Sequence, residues 1–236
     1  MVCADVLNGV AADRRRRSLT RTAVVILVVI VLVTQCHLAY FSPPFVGHVI
    51  DLATEQPIEA AVVVAVWNLK GMEGTIVKSI AVVETKTAAD GSFKIAAWGP
   101  RFNSGLPLGT MAESAPEIII MSGGYAPLLW RENSNSKVGS ILLNYDRLSD
   151  RTFALRPQSQ NAAERVRDAM EVEYRIRHLF DAPNCGWRRI EALLIELHAV
   201  GQSVDSDEAN GRAFMLSRIP ASSCGDPCTI IEENEK

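Results

Sequence analysis

The chain has 236 residues, of which 48% are hydrophobic and 22% are charged, and its formal net charge is -3. This length can bury one sizeable core with an appendage, and the slightly acidic balance gives no support for binding to nucleic acid. Residues 1–41 hold five Arg and two Asp, which leaves 19 basic and 25 acidic residues, a balance of -6, for the remainder. An acidic body behind a basic leader predicts export.

The N-terminal leader combines a basic cluster with an apolar run. Arg14 to Arg17 and Arg21 precede eleven uninterrupted apolar residues, Ala23 to Val33. Eleven residues are typical of a signal-peptide core, whereas about 20 are needed to cross a bilayer. Read as one uncleaved hydrophobic helix, the segment from Ala23 to Phe41 would be a membrane anchor that keeps the arginines on the cytoplasmic side.

Ordinary cleavage and lipidation are the alternatives to a retained anchor. His37-Leu38-Ala39 lacks the small first residue of an A-x-A cleavage site. Val33-Thr34-Gln35-Cys36 resembles a lipoprotein box, although Gln35 stands where Gly or Ala is usual, and it makes Cys36 a candidate for lipidation. All three alternatives place residues 42–236 on the periplasmic or extracytoplasmic side of a cell membrane, where oxidising conditions are expected.

Between Pro43 and Pro157 the apolar residues alternate with a period of two, which predicts β-strands. The predicted strands, in chain order, are FVGHVIDL from Phe45, AVVVAVW from Ala61, KSIAVVETKTA from Lys78, SFKIAAW from Ser92, PEIIIMSGGYAPLLW from Pro116, VGSILLNY from Val138 and RTFALRP from Arg151. The run from Ala61 to Trp67 is so continuously apolar that we expect both of its faces to be covered.

Turn signals separate these strands. Asp90-Gly91 predicts a positive-φ turn in a tight hairpin between the third and fourth strands. The fifth strand is expected to end at Gly123-Gly124, and Gly99 to Pro116, with three Gly and three Pro, predicts a long surface loop. About seven short strands with such turns predict a mainly β fold, an antiparallel β-sandwich.

Three motifs carry a resemblance to a known family. They are Gly47-x-Val49-x-Asp51-x-x-Thr54-x-x-Pro57-Ile58, Thr87-x-x-Asp90-Gly91-x-Phe93-x-Ile95 and Gly124-Tyr125-x-Pro127. In this order they resemble the carboxypeptidase regulatory-like domain over residues 45–156. The resemblance implies a transthyretin-like β-sandwich in a cell-envelope protein. The chain departs from the family at Glu55, where Gly is usual, and in a longer segment between Asn68 and Ile76.

The resemblance implies no activity by itself, because in metallocarboxypeptidases this module lies beside a separate zinc-bearing catalytic domain. None of the four His residues has a second ligand at metal-binding spacing, and His48 and His198 are expected to be surface or capping residues. Asp51 is expected to accept hydrogen bonds from nearby backbone N–H groups rather than to act as a base. We therefore predict no catalytic, cofactor or metal site.

After Pro157 the apolar spacing changes to three and four residues. QNAAERVRDAMEVEYRIRHLF from Gln160 predicts an amphipathic helix of about five turns, and WRRIEALLIELHAVG from Trp187 predicts a second helix that ends at Gly201. The helical pair is expected to pack on its own domain, with binding to another protein as the alternative. The predicted organisation is a leader at 1–41, the sandwich at 42–157, a helical hairpin at 158–201 and a tail at 202–236.

Three cysteines lie on the exported side of the leader. A bridge from Cys185 to Cys224 or Cys228 would close a loop of about 40 residues and contribute about 3–4 kcal/mol in the chain-entropy model. The alternative is a bridge between Cys224 and Cys228 across Gly225-Asp226-Pro227. One thiol is left over in either case.

The favoured function is a non-catalytic, membrane-tethered envelope protein with a binding or structural module. The predicted contact surface for an envelope protein or a glycan is formed by Trp98, Phe102, Tyr125 and Trp130 among flexible Gly and Ser residues. Capping of the open end of the sandwich is the alternative role for these aromatic residues. The alternative function is an accessory subunit of, or a cryptic, cell-envelope peptidase or hydrolase.

Overall fold

The computed structural model describes residues 39–70, 76–102, 110–111, 116–131, 149–180 and 186–202. The chain divides into two compact units, of which the first comprises Met1–Phe41 with Gly99–Gly105 and the second comprises Ser42–Trp98 with Leu106–Lys236. Strands β1 (Ala39–Ser42) and β6 (Trp98–Phe102) form a two-stranded sheet. Most of the predicted hydrophobic helix lies outside the described residues, but its expected outer end, 39–41, is strand rather than helix.

The second unit contains two larger sheets. The three-stranded sheet has the order β10 (Arg151–Leu155), β2 (Phe45–Asp51) and β5 (Ser92–Ile95). The other sheet has the order β4 (Ile76–Lys86), β3 (Val62–Lys70), β8 (Glu117–Met121) and β9 (Leu128–Trp130), with β7 (Thr110–Met111) also paired to β3. These pairings are antiparallel except that of β10 with β2, which is parallel.

The mainly β fold with antiparallel sheets and two C-terminal helices is confirmed. The predicted hairpin at Asp90-Gly91 is wrong, because the chain turns there from β4 into β5, which pairs with β2 in the other sheet. Gly91 does have a φ of +73°, and a Cβ at this position would lie 2.5 Å from the carbonyl oxygen of Val49. The turn therefore has the expected glycine. Phe93 and Ile95 follow it on β5, and both are buried in the three-stranded sheet.

One further strand prediction is confirmed, one loop prediction is corrected and one strand prediction falls outside the described residues. The fifth predicted strand ends before Gly123-Gly124 as expected, and the chain then returns as the antiparallel β9. The predicted loop from Gly99 to Pro116 contains strand residues at 99–102 and 110–111. The segment predicted as a strand at 138–145 lies outside the described residues.

Strand β3 is the centre of the core and is buried on both faces, as predicted. Val62, Val64 and Val66 belong to a buried cluster with residues of the C-terminal helices. Since side chains alternate along a strand, Trp67 points to the opposite face, where its ring lies edge-on to Phe45 of β2 at a centroid distance of 6.5 Å. One face of β3 thus supports the helices and the other contacts the three-stranded sheet.

The C-terminal segment forms helix α1 (Ala162–Ile176), the 3-10 turns η1 (Arg177–Leu179) and η2 (Gly186–Arg189), and helix α2 (Glu191–Gln202). Asn161 begins α1, because its side chain accepts the N–H of Ala163. The apolar faces of both helices are buried against the sheet that contains β3, which confirms that the pair packs on its own domain. Within the described ranges, neither helix has the length and apolar character needed to cross a membrane.

The turn after β2 contains a residue in a disfavoured backbone conformation. Glu55 has a φ of +56°, in the left-handed region where a side chain is disfavoured, and its N–H donates to the carbonyl oxygen of Asp51 at 2.9 Å. The sequence departure at Glu55 therefore places a side chain on backbone that suits glycine.

We predict that Glu55→Gly raises the free energy of unfolding by about 0.5–1 kcal/mol, because relief of the left-handed strain exceeds the entropy cost of glycine. Glu59→Gly is the matched control: it lies in the next turn, outside the left-handed region, and should lower stability by about 0.5 kcal/mol. Urea denaturation of both variants measures the difference. Equal losses in the two variants would contradict the prediction.

Candidate functional site

Three segments meet at one end of the second unit and are called here the Tyr125 loop cluster: residues 51–57, 122–127 and 156–158. The N–H of Leu52 donates to Leu155, that of Ala126 to Arg156 and that of Gln158 to Gly124, at 2.8, 2.9 and 2.8 Å. Because β2 and β10 are parallel, both strands end at this edge. The backbone therefore joins loops from both sheets at one surface.

Asp51 is the polar centre of the Tyr125 loop cluster. Its Oδ1 accepts the N–H groups of Ala53 and Thr54 at 2.6 and 2.9 Å, and its Oδ2 accepts the hydroxyl of Tyr125 at 2.8 Å. The expected bonds to nearby backbone N–H groups are confirmed. The bond to Tyr125, 74 residues away, was not predicted.

The same contacts set the protonation of both groups. The N–H of Thr54, then the hydroxyl of Tyr125 and the N–H of Ala53, lower the pKa of Asp51. The bond to the Asp51 carboxylate raises the pKa of Tyr125. At neutral pH the Asp51 carboxylate is thus charged and accepts a hydrogen bond from the neutral Tyr125 hydroxyl. This bond joins two loops, and neither group is set up to transfer a proton.

The predicted contact aromatics do not form one patch. Trp98 is only 9% exposed and lies edge-on to Trp67 at 5.2 Å, so it is a core residue rather than a contact residue. Phe102 has its backbone in β6, and its side chain lies outside what the structure describes. Tyr125 and Trp130 are half-buried, and they stay predicted contact residues.

Trp130 has its own partners at the end of β9. Its ring lies edge-on to Phe153 at 5.9 Å, and the Arg151 guanidinium lies 4.6 Å from its centroid in cation–π geometry. A molecule that binds at this position would therefore contact the Arg151 guanidinium and the Trp130 ring together. The cysteines Cys36, Cys185, Cys224 and Cys228 lie outside the described residues, and their predicted roles stay predictions.

Three polar side chains on the helix-facing side of the sheet were missed by the sequence reasoning. Asn68 lies on β3 beyond Val66, while Glu84 lies opposite Val64 and Glu117 lies opposite Val66. Each of them bonds to the helical pair, so they are called here the polar pins. The available signal was a polar residue directly at the end of an apolar run: Asn68 follows 62–67, Glu84 follows 80–83 and Glu117 precedes 118–121.

Glu84 caps helix α2 from the sheet. Its Oε1 accepts the N–H of Ala192 at 3.1 Å and its Oε2 accepts the N–H of Leu193 at 2.9 Å. These N–H groups have no partner inside the helix, and the carboxylate also suits the positive end of the helix dipole. Burial nevertheless raises the pKa of Glu84, with the two N–H bonds opposing it.

Glu117 joins the sheet to α1 through arginines. Its buried carboxylate lies 3.3 Å from Arg131, just after β9, and 3.4 Å from Arg175 on α1. Arg175 also contacts Glu171 one turn earlier at 2.8 Å. Removal of one partner from such a group leaves a buried charge without compensation, which makes this pin costly to break.

Asn68 holds Ser79 and His178 at the other end of the sheet. The Ser79 hydroxyl donates to Asn68 Oδ1 at 2.8 Å, and His178 Nε2 lies 3.0 Å from the same oxygen. His178 donates to this oxygen in the tautomer that carries its proton on Nε2. A nucleophile–base pair needs the hydroxyl bonded to the imidazole, whereas here both bond to the amide.

Within the described ranges, no three His, Cys, Asp or Glu side chains are grouped so as to hold a metal ion. No known family profile matches the chain, and a search of curated proteins returns no match.

We predict that Tyr125→Phe raises the pKa of Asp51 toward its ordinary value, because one of its hydrogen-bond donors is lost. The Asp51 contribution to stability is present above its unfolded pKa and is lost as the pH falls through the folded pKa, so in the variant this contribution is smaller and its loss is complete at a higher pH. An NMR titration of the side-chain carboxyl groups measures both forms. Asp90, whose pKa is lowered by Ser92, is the internal control and should not change.

We predict opposite pH behaviour for Glu84. Because its pKa is raised in the folded protein, its contribution to stability falls as the pH rises from about 4 through the folded pKa. Relative to Glu84→Gln, which keeps an acceptor oxygen but does not titrate, the native chain should lose stability between acidic and neutral pH. Urea denaturation at both pH values checks this, with Glu59→Gln as the control for the amide change.

Glu84→Ala should cost about 1–2 kcal/mol at either pH, because the cap is removed completely. A stability difference between native chain and Glu84→Gln that does not change with pH would contradict the sign of the pKa shift.

Proposed function

We propose that the chain is a non-catalytic, membrane-tethered cell-envelope protein whose β-sandwich, of the transthyretin-like carboxypeptidase regulatory type, is a binding or structural module. The observation that carries this proposal is the use of polar groups that are buried or partly buried. Asp51, Glu84, Glu117 and Asn68 each join segments distant in sequence, and their acceptor atoms are engaged in those bonds. Such groups stabilise a scaffold.

The motif residues support the sandwich family. Asp51 closes the turn after β2, and Thr87 accepts the N–H of Ala61 while its hydroxyl donates to Ile58. Gly91 occupies the positive-φ position of its turn. These three motif residues thus have local roles that their chemistry explains, as expected of a family whose motifs maintain a fold.

The proposed tether is the leader, with its Arg cluster and the apolar residues from Ala23 onward. The proposed contact surface is the Tyr125 loop cluster with Trp130. Among the described residues, no atom lies within 4 Å of Cβ atoms placed at Gly123 and Gly124, which suits contact with another molecule beside Tyr125. An envelope protein or a glycan is the proposed partner, because Tyr and Trp with an Arg on the ring offer both apolar and polar contact.

The alternative of an accessory or cryptic hydrolase makes a different prediction. The purified chain would then show peptidase activity that a chelator removes, whereas a scaffold would recover a defined envelope partner without turnover. The Asn68, Ser79 and His178 group offers a direct control, since Ser79→Ala would abolish a serine-dependent activity and leave a scaffold function unchanged.

We predict that crosslinking in intact cells followed by affinity purification recovers one envelope partner and that Trp130→Ala reduces this recovery at least tenfold. Tyr174→Ala, an exposed aromatic change on α1, is the matched control and should have no effect. The intact mass of the membrane-extracted chain, measured in the same preparation, separates retained, lipidated and cleaved leaders. Turnover of peptides, or equal recovery with both variants, would overturn the proposal.

A further inference from the structure

The two-stranded sheet of β1 and β6 is rich in aromatic residues and is called here the aromatic ribbon. Its strands are AYFS and WGPRF, so four of its residues are aromatic, whereas the whole chain of 236 residues has 4 Trp, 4 Tyr and 7 Phe. The single charged residue in these two strands is Arg101. Aromatic residues with a flanking cation are typical of the zone where a protein meets lipid headgroups.

Phe41 is the exposed aromatic side chain of the aromatic ribbon. Its exposed fraction is 46%, whereas that of Trp98 is 9%. A Cβ placed at Gly99 would lie 2.6 Å from the Cβ of Phe41, so the two strands approach closely at a position that only glycine fits. Gly99 and Pro100 are exposed and have no polar side-chain atoms. The ribbon therefore has an exposed apolar surface in which the backbone of Phe41 is closely packed.

The aromatic ribbon follows the proposed tether directly in the chain. Because β1 begins at Ala39, a retained apolar helix would end by Leu38. Such a helix from Ala23 has 16 residues and a length of about 24 Å, against about 30 Å for the hydrocarbon core of a bilayer. A span that is too short draws the residues that flank it toward the bilayer.

The lipidated form of the tether leads to the same position. If Cys36 carries the lipid, Ala39 lies three residues further along the chain, at most about 11 Å from the acylated residue. Either tether therefore holds β1 at the membrane surface.

We propose that the aromatic ribbon lies in the headgroup region of the bilayer, with the Phe41 ring inserted toward the acyl chains. This inference rests on the proposed tether and adds a second membrane contact, made by folded residues. Burial in lipid removes the exposed part of the Phe41 ring from water. The long side chain of Arg101 suits headgroup depth, since its stem is apolar and its end is charged.

The position of the aromatic ribbon in the chain identifies its occupant. An exposed aromatic residue alone does not, because single apolar residues are common on protein surfaces. Here no linker separates the tether from β1, so the ribbon cannot move away from the bilayer to meet another partner. Lipid is therefore favoured over a protein at Phe41.

The first experiment measures lipid contact of the full chain reconstituted in vesicles of phosphatidylcholine and phosphatidylglycerol. Benzoylphenylalanine replaces Phe41 in one chain and Tyr174 in another, the matched control, since Tyr174 is an aromatic residue with a 65% exposed side chain on α1. After irradiation, lipid adducts at position 41 should exceed those at position 174 by on the order of tenfold. Mass spectrometry of the proteolytic peptides counts the adducts.

A more conservative substitution measures the depth of the ring. In Phe41→Trp, the emission added to that of the native chain should be quenched in vesicles whose acyl chains carry bromine. Tyr174→Trp is the control, and its added emission should not be quenched. Circular dichroism verifies that each variant folds as the native chain does.

Flotation of the native chain with the vesicles separates two kinds of failure. A chain that does not float has no tether, which overturns both the membrane part of the proposed function and this inference. A chain that floats, but gives equal lipid adducts at the two positions, adducts only with protein, or no quenching in Phe41→Trp, overturns the lipid contact of the aromatic ribbon and leaves the tether in place.

Discussion

The structure depends on the burial of both faces of β3. Val62, Val64 and Val66 need the helices and Trp67 needs the aromatic face of the other sheet, so loss of either layer would expose a nearly continuous apolar strand. This one constraint explains why the helical pair is part of the domain core rather than an appendage. The helices and the three-stranded sheet do not compete for the strand, because alternation assigns each layer its own side chains.

Burial alone does not fix how the helices lie on the sheet, since apolar contact is non-directional. The hydrogen bonds and ion pairs of the polar pins are directional, so they fix the orientation of the helices on the sheet. Asn68 reaches η1, Glu117 reaches α1 and Glu84 reaches the first turn of α2, so these three elements each have a polar contact with the sheet. The Asp51–Tyr125 bond has the same role at the far edge, where it joins loops of the two sheets.

Local patterns predicted the elements well and their pairing poorly. The apolar run at β3, the helix periodicity after Pro157 and the turn chemistry of Asp51 and Gly91 are properties of neighbouring residues, so the sequence expresses them directly. Glu84 and Ala192 are 108 residues apart, and no local pattern links them. The placement of β5 in a different sheet from β4 depends on packing between segments that are distant in sequence. The burial of Trp98 depends on the same long-range packing.

Helix α1 divides its residues clearly between the core and the surface. Its inner residues, such as Val172 and Ile176, are buried against the sheet, and its outer residues Met170 and Tyr174 are not needed for that packing. Because these two sets of residues lie on opposite sides of one helix, a change at Met170 or Tyr174 removes no core contact. The ion pair of Glu117 with Arg175 holds α1 on the sheet, so contacts on the buried side fix the position of the exposed side.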